Sequence, residues 1–120
     1  MTTKLLQLYT LVTSPSKKEE LLTTAIEALS EEERKSFARA HALYLRADAR
    51  LDLNRIDDAI KDAKLSTQIN TQEGKAWCKL SRAHEAKGNI NEAVKATKEW
   101  IQADQSTKAK RELERLYDLM

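Results

Sequence analysis

Residues that break helices are scarce in this 120-residue chain, which contains two glycines and one proline. Aromatic residues are also few, at 5%, whereas charged residues make up 33%. This composition favours helices with solvated faces over a sheet protein. The length predicts a single domain that can bury a modest core.

Cysteine is nearly absent as well. The single Cys78 cannot form an internal disulfide, so we expect a reducing compartment, the cytoplasm or alternatively the nucleus. No apolar run approaches the ~18 residues of a membrane span. The N-terminal "KLLQLYTLV" has the pattern of an amphipathic helix and lacks the cleavage site of a signal peptide. We therefore expect no membrane association.

The chain has no strong excess of charge of either sign. Its 21 basic and 19 acidic residues leave a formal charge of +2, which points to no particular partner. Proteins that bind nucleic acids have a stronger basic excess, so we expect no nucleic-acid partner.

Known catalytic motifs are missing too. The chain has no glycine-rich phosphate loop, no paired cysteines and no His-Glu motif of zinc hydrolases. Cys78 with His41 or His84 could form a nucleophile pair or a metal site. However, His84 lies six residues from Cys78, on a different face of the same predicted helix, and no acid is placed to orient it. The sequence therefore predicts no enzyme, no metal and no cofactor.

Helix caps and breakers divide the chain into seven predicted helices. Pro15 ends a first helix of about residues 3–13. Two capping boxes are predicted to open the second and third helices: Ser16 with Glu19, and Ser30 with Glu33. The third helix is expected to run as far as Leu53. Four further helices follow at about 56–69, 73–87, 90–103 and 106–119. No segment has a convincing strand pattern.

A period of 34 residues relates two parts of the chain between residues 40 and 105. Similar residues recur at this spacing: Asn54 and Gly88, Ala59 and Ala93, Leu43 and Trp77, Ala47 and Ser81. The segments "RIDDAIKDA" and "NINEAVKAT" correspond along their whole length. Asn and Gly tolerate the left-handed conformation at a helix end, so each unit is predicted to be a pair of helices joined by a tight turn.

These residues resemble the tetratricopeptide repeat (TPR), whose 34-residue unit is an antiparallel helix pair. The segment "AWCKLSRAHEAKGNINEAVKATKEWIQAD" matches the repeat at six positions: Trp77, Leu80, Ser81, Gly88, Ala93 and Asp104. It departs from the pattern at Thr97, Trp100 and Gln105. The preceding unit matches less closely, with Leu43 at the aromatic position and Arg50 where Tyr is common.

The resemblance implies an all-α, TPR-like α-solenoid of about three helical hairpins with a C-terminal capping helix. We expect a degenerate first hairpin at 3–35, a repeat at 36–70, the best-matching repeat at 74–105 and the capping helix at 106–120. The first hairpin departs from the repeat because its turn is at Pro15 and not near Glu20.

In such an array the first helix of each pair lines the concave side. The candidate peptide-binding residues are therefore Lys75, Cys78, Lys79 and Arg82 in one repeat and His41, Tyr44, Leu45 and Asp48 in the other. They would place a basic wall beside an aromatic and aliphatic one. A short acidic peptide with one apolar anchor would suit this groove. The alternative interpretation is a solvated helix face without a ligand.

Some TPR domains bind the carboxylate-rich tails of Hsp70 or Hsp90 through a five-residue clamp. The resemblance places Lys75 and Lys79 at that clamp's third-repeat Lys and Arg positions, although Lys lacks the bidentate fork of Arg. Leu45 stands in place of an Asn, and Thr10 and Ser14 replace the remaining Lys and Asn. Two matches of five predict at most weakened binding of a chaperone tail.

Three functions remain open from the sequence. The first is a non-enzymatic scaffold that recruits a protein or peptide, in keeping with the general role of TPR arrays. The second is an Hsp70/Hsp90 co-chaperone adaptor with an incomplete clamp. The third is a self-associating assembly module, a weak homo-oligomer formed through exposed Phe37, Tyr44 or Trp100.

Overall fold

The computed structural model describes residues 7–120, and all regular elements among them are helical. Six α-helices follow one another: α1 (Pro15–Glu27), α2 (Phe37–Asp52), α3 (Ile56–Ile69), α4 (Gly74–Ala86), α5 (Ile90–Asp104) and α6 (Thr107–Asp118), with a 3-10 turn at Glu33–Lys35 before α2. Each α-helix packs on the next, and α2 also contacts α4. The result is an elongated stack of 43 × 26 × 22 Å.

The last four helices begin and end within one residue of the predicted positions, but the first part of the chain differs. Residues 3–6 of the predicted first helix lie outside the described residues, and residues 7–9 are helical. The cap predicted at Ser16 is wrong: α1 begins at Pro15, and Ser14 is its N-cap residue. Proline suits the first helical position because its missing N–H would have no partner there.

The second predicted capping box forms, but it does not open a long helix. The backbone N–H of Glu33 donates to Ser30 Oγ at 3.2 Å, and that of Ser30 donates to Glu33 Oε1 at 3.1 Å. Only the short 3-10 turn follows, and Ser36 then caps α2 by accepting from the N–H of Arg39. The prediction of one helix from Ser30 to Leu53 is therefore wrong.

Two turns 34 residues apart have the same hydrogen-bond pattern. Asn54 and Gly88 have φ values of 61° and 89°. Each follows a helix. Two backbone N–H groups of the turn donate to carbonyls in the last turn of that helix, as in a Schellman motif. The predicted left-handed positions are confirmed, and the turns make α2–α3 and α4–α5 equivalent helix pairs.

Alanines let the helices of the two pairs approach closely. Ala47, Ala59, Ala63 and Ala83 are fully buried in one cluster. Small hydroxyl side chains are buried between the helices as well, and each has a partner. Ser66 Oγ donates to the carbonyl of Ala40 at 2.6 Å, and Ser81 Oγ lies 2.7 Å from Thr97 Oγ1. Because buried polar groups need partners, these contacts help to set the register between helices.

An ion network connects α1, α2 and α3. Asp62 on α3 accepts from Arg46 Nε at 2.7 Å and Nη2 at 2.8 Å, and from Arg50 Nη1 at 3.0 Å. Arg50 also donates to Glu19 on α1 at 3.1 Å. The Asp62 side chain is only 6% exposed, and both arginine side chains are 14% exposed. Asp62 is therefore the shared acceptor of two largely buried cations.

Replacing Asp62 should leave both arginines without their main partner. Since removal of one member of a buried pair is costly, we expect Asp62→Asn to lower the free energy of unfolding by about 3 kcal/mol. Asp57→Asn is the matched control, because Asp57 lies on the same helix but its side chain is 72% exposed. Urea denaturation followed by circular dichroism measures both variants. Equal stability of the two variants would contradict the structural role of the network.

The same network should make the domain sensitive to acid. Burial alone raises the pKa of Glu19, but hydrogen bonds from Arg50 and Thr23, with the charges of Arg50 and Arg55, bring it below its ordinary value of 4.5. A lowered pKa in the folded state stabilises the fold above the unfolded-state pKa, and this stabilisation is lost as pH falls through the folded-state pKa. The melting temperatures of the original protein and Glu19→Gln should therefore differ most near pH 7, and the difference should shrink as pH falls below 4.5. A constant difference across this range would contradict the assignment.

Candidate functional site

A groove of about 470 Å³ lies between α2, α4 and the start of α6. Seven of the eight predicted binding residues line it: His41, Tyr44, Leu45 and Asp48 from α2, and Lys75, Cys78 and Lys79 from α4. The helical spacing of these residues explains their arrangement, since positions three and four apart lie on one face of a helix. The structure thus brings the two predicted walls together.

The eighth predicted residue, Arg82, lies one turn further along α4. It lines an adjoining cavity of about 530 Å³ beneath α6, together with Glu85 and Arg115. Arg115 donates to both oxygens of Glu85, at 2.8 and 2.6 Å, and so attaches α6 to α4. Arg82 therefore belongs to a second cavity rather than to the first groove.

The two lysines of the basic wall differ in their environment. Lys79 Nζ lies 3.1 Å from Asp48 Oδ1 on the opposite wall, and its side chain is 19% exposed. Lys75 is exposed and forms no ion pair with any of residues 7–120. Asp48 therefore neutralises the inner lysine, while the outer one remains available to a ligand. The predicted aromatic and aliphatic wall also contributes a carboxylate to the groove.

His41 and Tyr44 form a hydrogen-bonded pair on the α2 wall. The Tyr44 hydroxyl lies 3.0 Å from His41 Nδ1. Burial, with the nearby charge of Glu73, raises the pKa of Tyr44 to about 12, so the phenol keeps its proton near neutral pH. Burial also lowers the pKa of His41. With both groups neutral, either the phenol or Nδ1–H can supply the proton of this bond. We expect the phenol to donate, which places the proton of a neutral His41 on Nε2.

Cys78 lies on the floor of the groove and is not arranged as a nucleophile. Burial raises the pKa of its thiol, so the reactive thiolate is disfavoured. His41 Nδ1 is engaged by Tyr44, and burial lowers the pKa of His84. Within residues 7–120, no three His, Cys, Asp or Glu side chains are grouped so that they could hold a metal ion.

Four groove residues were missed by sequence reasoning: Trp100, Asp104, Ser106 and Lys108. Trp100 Nε1 donates to Asp104 Oδ2 at 3.0 Å, and the backbone N–H of Ser106 donates to Asp104 Oδ1 at 2.9 Å. The end of α5 approaches the start of α4 so closely that a Cβ on Gly74 would clash with the carboxylate of Asp104. This approach depends on the packing of separate helices, so no local pattern could have indicated it.

Two further sequence expectations need correction. The sequence predicts Tyr44 and Trp100 to be exposed for self-association, but they are only 4% and 5% exposed. Trp100 is buried in a cluster with Cys78 and Ala109 of α6. Phe37 is 67% exposed, as expected. Thr10 and Ser14, placed at clamp positions by the repeat register, do not line the groove. Thr10 donates to the carbonyl of Gln7, and Ser14 precedes α1.

The repeat pattern and the fold both match known proteins. A family model described as Tetratricopeptide repeat matches residues 40–73 and 74–107, more than half of the chain. The first TPR of Spaghetti (RPAP3), solved with the HSP90 peptide SRMEEVD, is similar with a TM-score of 0.83 at 18% identity, covering 98% of this chain and 94% of that one.

Two other solved structures share the fold. The Sgt2 TPR domain from Aspergillus fumigatus has a TM-score of 0.81 at 24% identity, covering 98% of this chain and 77% of that one. MamA has a TM-score of 0.66 at 22% identity, covering 82% and 58%. No curated protein sequence matches the chain. Among residues 7–120, no helix is both long and apolar enough to cross a membrane.

The His41–Tyr44 pair can be tested directly by NMR. We expect the imidazole of His41 to titrate below its ordinary pKa of 6.5 and to carry its neutral-state proton on Nε2. Long-range ¹H–¹⁵N correlation spectra distinguish the two tautomers. In Tyr44→Phe the donor to Nδ1 is lost, so the Nδ1–H tautomer should become populated. The same tautomer distribution in both proteins would show that the hydrogen bond does not orient His41.

Proposed function

The chain belongs to the tetratricopeptide repeat family, and from that premise we propose that it is a non-enzymatic scaffold that recruits a partner through its concave groove. The proposed ligand is an acidic peptide, or an acidic segment of a protein, with one apolar anchor. TPR domains are in general non-catalytic interaction modules. The cytoplasm or the nucleus is the proposed setting, supported by the single unpaired cysteine.

The proposal is carried by the convergence of seven predicted residues on one groove in which Lys75 has no ion-pair partner among the described residues. An exposed ammonium group can form charge-assisted hydrogen bonds with a carboxylate. Leu45 and Cys78 supply apolar surface beside it. Charge and apolar burial together would favour an acidic residue followed closely by an aliphatic one.

A second candidate is an Hsp70/Hsp90 co-chaperone adaptor with an incomplete clamp. It is favoured by the matches of Lys75 and Lys79 to two clamp positions, and by the structurally similar domain that was solved with SRMEEVD. Three features weaken it. Leu45 cannot replace an Asn, Thr10 and Ser14 lie outside the groove, and Lys79 is held by Asp48.

Two peptides of equal composition separate these candidates. We would titrate ¹⁵N-labelled protein with SRMEEVD and with the rearranged EVDMESR, and follow amide shifts of α2 and α4. A groove that binds acidic peptides in general should bind both. A clamp for a carboxylate-rich chain end should bind SRMEEVD alone. If neither peptide shifts the groove residues, both proposals are wrong.

Single substitutions should change the affinity for SRMEEVD in opposite directions. We expect Lys75→Ala to weaken binding about fivefold, because it removes the unpaired cation. Asp48→Asn should strengthen binding by a similar factor, because it frees Lys79 and removes a like charge from the groove.

Lys61→Ala is the control for these two variants, because Lys61 is exposed on α3 and lines neither cavity. Isothermal titration calorimetry at low salt measures all four proteins. Weaker binding by Asp48→Asn would contradict the proposed role of the Lys79–Asp48 pair.

A further inference from the structure

The groove and the cavity beneath α6 adjoin each other. Cys78, Trp100 and Lys108 line both of them, so the two volumes lie side by side along α4 between Lys75 and Arg82, and together they are called the channel. The side chains of Cys78 and Trp100 are buried and form an apolar floor where the two volumes meet. The channel therefore has an apolar middle with charged residues on either side.

Every carboxylate that lines the channel already has a partner. Asp48 pairs with Lys79, and Asp104 accepts from Trp100 Nε1 and from the N–H of Ser106. Glu85 and Glu112 both accept from Arg115. Asp48, Glu85 and Glu112 are therefore paired with cations of the chain, whereas Asp104 is held by two uncharged donors.

The cations of the channel are not all compensated. Lys75 and Lys108 are exposed and form no ion pair with another described residue. Arg82 is 57% exposed, and its only ion pair within residues 7–120 is a long contact of 4.0 Å with Asp48, which Lys79 holds more closely. The channel is lined by five cations and four carboxylates, so its net charge is positive. The cations without a close carboxylate partner among the described residues are Lys75 in one volume, Arg82 in the other and Lys108 lining both.

The spacing of these cations defines a ligand. Lys75 and Arg82 are seven residues apart on α4, about 10.5 Å along the helix axis. A peptide in the extended polyproline II conformation rises about 3.1 Å per residue and has three residues per turn, so side chains three positions apart lie on one face, about 9 Å from each other. We propose that Arg82 and Lys108 form a second acidic subsite, so that the channel binds an extended peptide with two acidic residues three positions apart and an apolar residue between them.

This inference rests on the proposed function and adds to it. One carboxylate of the ligand contacts Lys75, the other contacts Arg82 and Lys108, and the apolar side chain covers Cys78 and Trp100. The ligand is thus recognised by internal acidic residues and needs no free chain end.

The probe is the decapeptide GSGELSEGSG, blocked at both ends so that its only charges are two glutamates three positions apart. Two companions, GSGQLSEGSG and GSGELSQGSG, each remove one charge. Binding to the full chain is measured by fluorescence anisotropy at low salt, because salt screens exposed charges. The variants are Lys75→Gln, the double variant Arg82→Gln/Lys108→Gln, and the control Lys61→Gln/Lys110→Gln. Circular dichroism verifies that each variant is folded.

The original protein should prefer the two-glutamate peptide by about fivefold over each companion. Lys75→Gln should no longer bind the two-glutamate peptide more tightly than one of the companions. Arg82→Gln/Lys108→Gln should no longer bind it more tightly than the other companion. Either assignment supports the proposal, because it depends only on the direction of the peptide. The control variant should retain both preferences.

Two outcomes would overturn the second subsite. One is that Arg82→Gln/Lys108→Gln binds all three peptides as tightly as the original protein does, while Lys75→Gln binds them more weakly. The other is binding of SRMEEVD without binding of the decapeptide. Both leave the proposed function intact. That function fails instead if the original protein binds neither the decapeptide nor SRMEEVD.

Discussion

The contact of Asp62 with Arg46 and Arg50 determines how the first described helices lie against the repeats. A carboxylate buried between two helices is unfavourable unless it is paired, and here it accepts three hydrogen bonds from α2. Buried ion pairs add little net stability compared with apolar residues. What this network does is connect three helices, since Arg46 and Arg50 on α2 contact Asp62 on α3 and Arg50 also contacts Glu19 on α1.

The ion network also affects the groove, because the two lie on different sides of the same helix, α2. Arg46 and Arg50 point to α1 and α3, while His41, Leu45 and Asp48 line the concave side. A helix held rigidly on one side presents its other side at a fixed angle. The distance between Asp48 and Lys79, and so the neutralisation of that lysine, thus depends partly on contacts across the helix from the groove.

The sequence predicted the parts of the fold that follow from local patterns. The 34-residue period and the turns at Asn54 and Gly88 depend on residues close in the chain, so the helix pairs could be recognised. The predicted groove residues followed from helical spacing. Lys108 and Asp104 could not be found in this way, because they enter the groove only when α5 and α6 pack on α4. Position 50 holds Arg where the family commonly has Tyr. The family pattern does not indicate that Asp62 and Glu19 are the partners of Arg50.

Lys75 and Lys79 show why charge in a groove cannot be counted from sequence. They lie one turn apart on the same face of α4, yet Asp48 reaches only the inner one. The same difference is found in the adjoining cavity. Arg115 is held by Glu85 and Glu112, whereas the one ion pair that Arg82 forms with a described residue is long. Since a paired cation must give up its partner before it binds a ligand, unpaired cations contribute more to affinity for an acidic peptide. Recognition therefore depends on which charges the fold leaves unmatched, and this is set by contacts between helices that the repeat pattern does not specify.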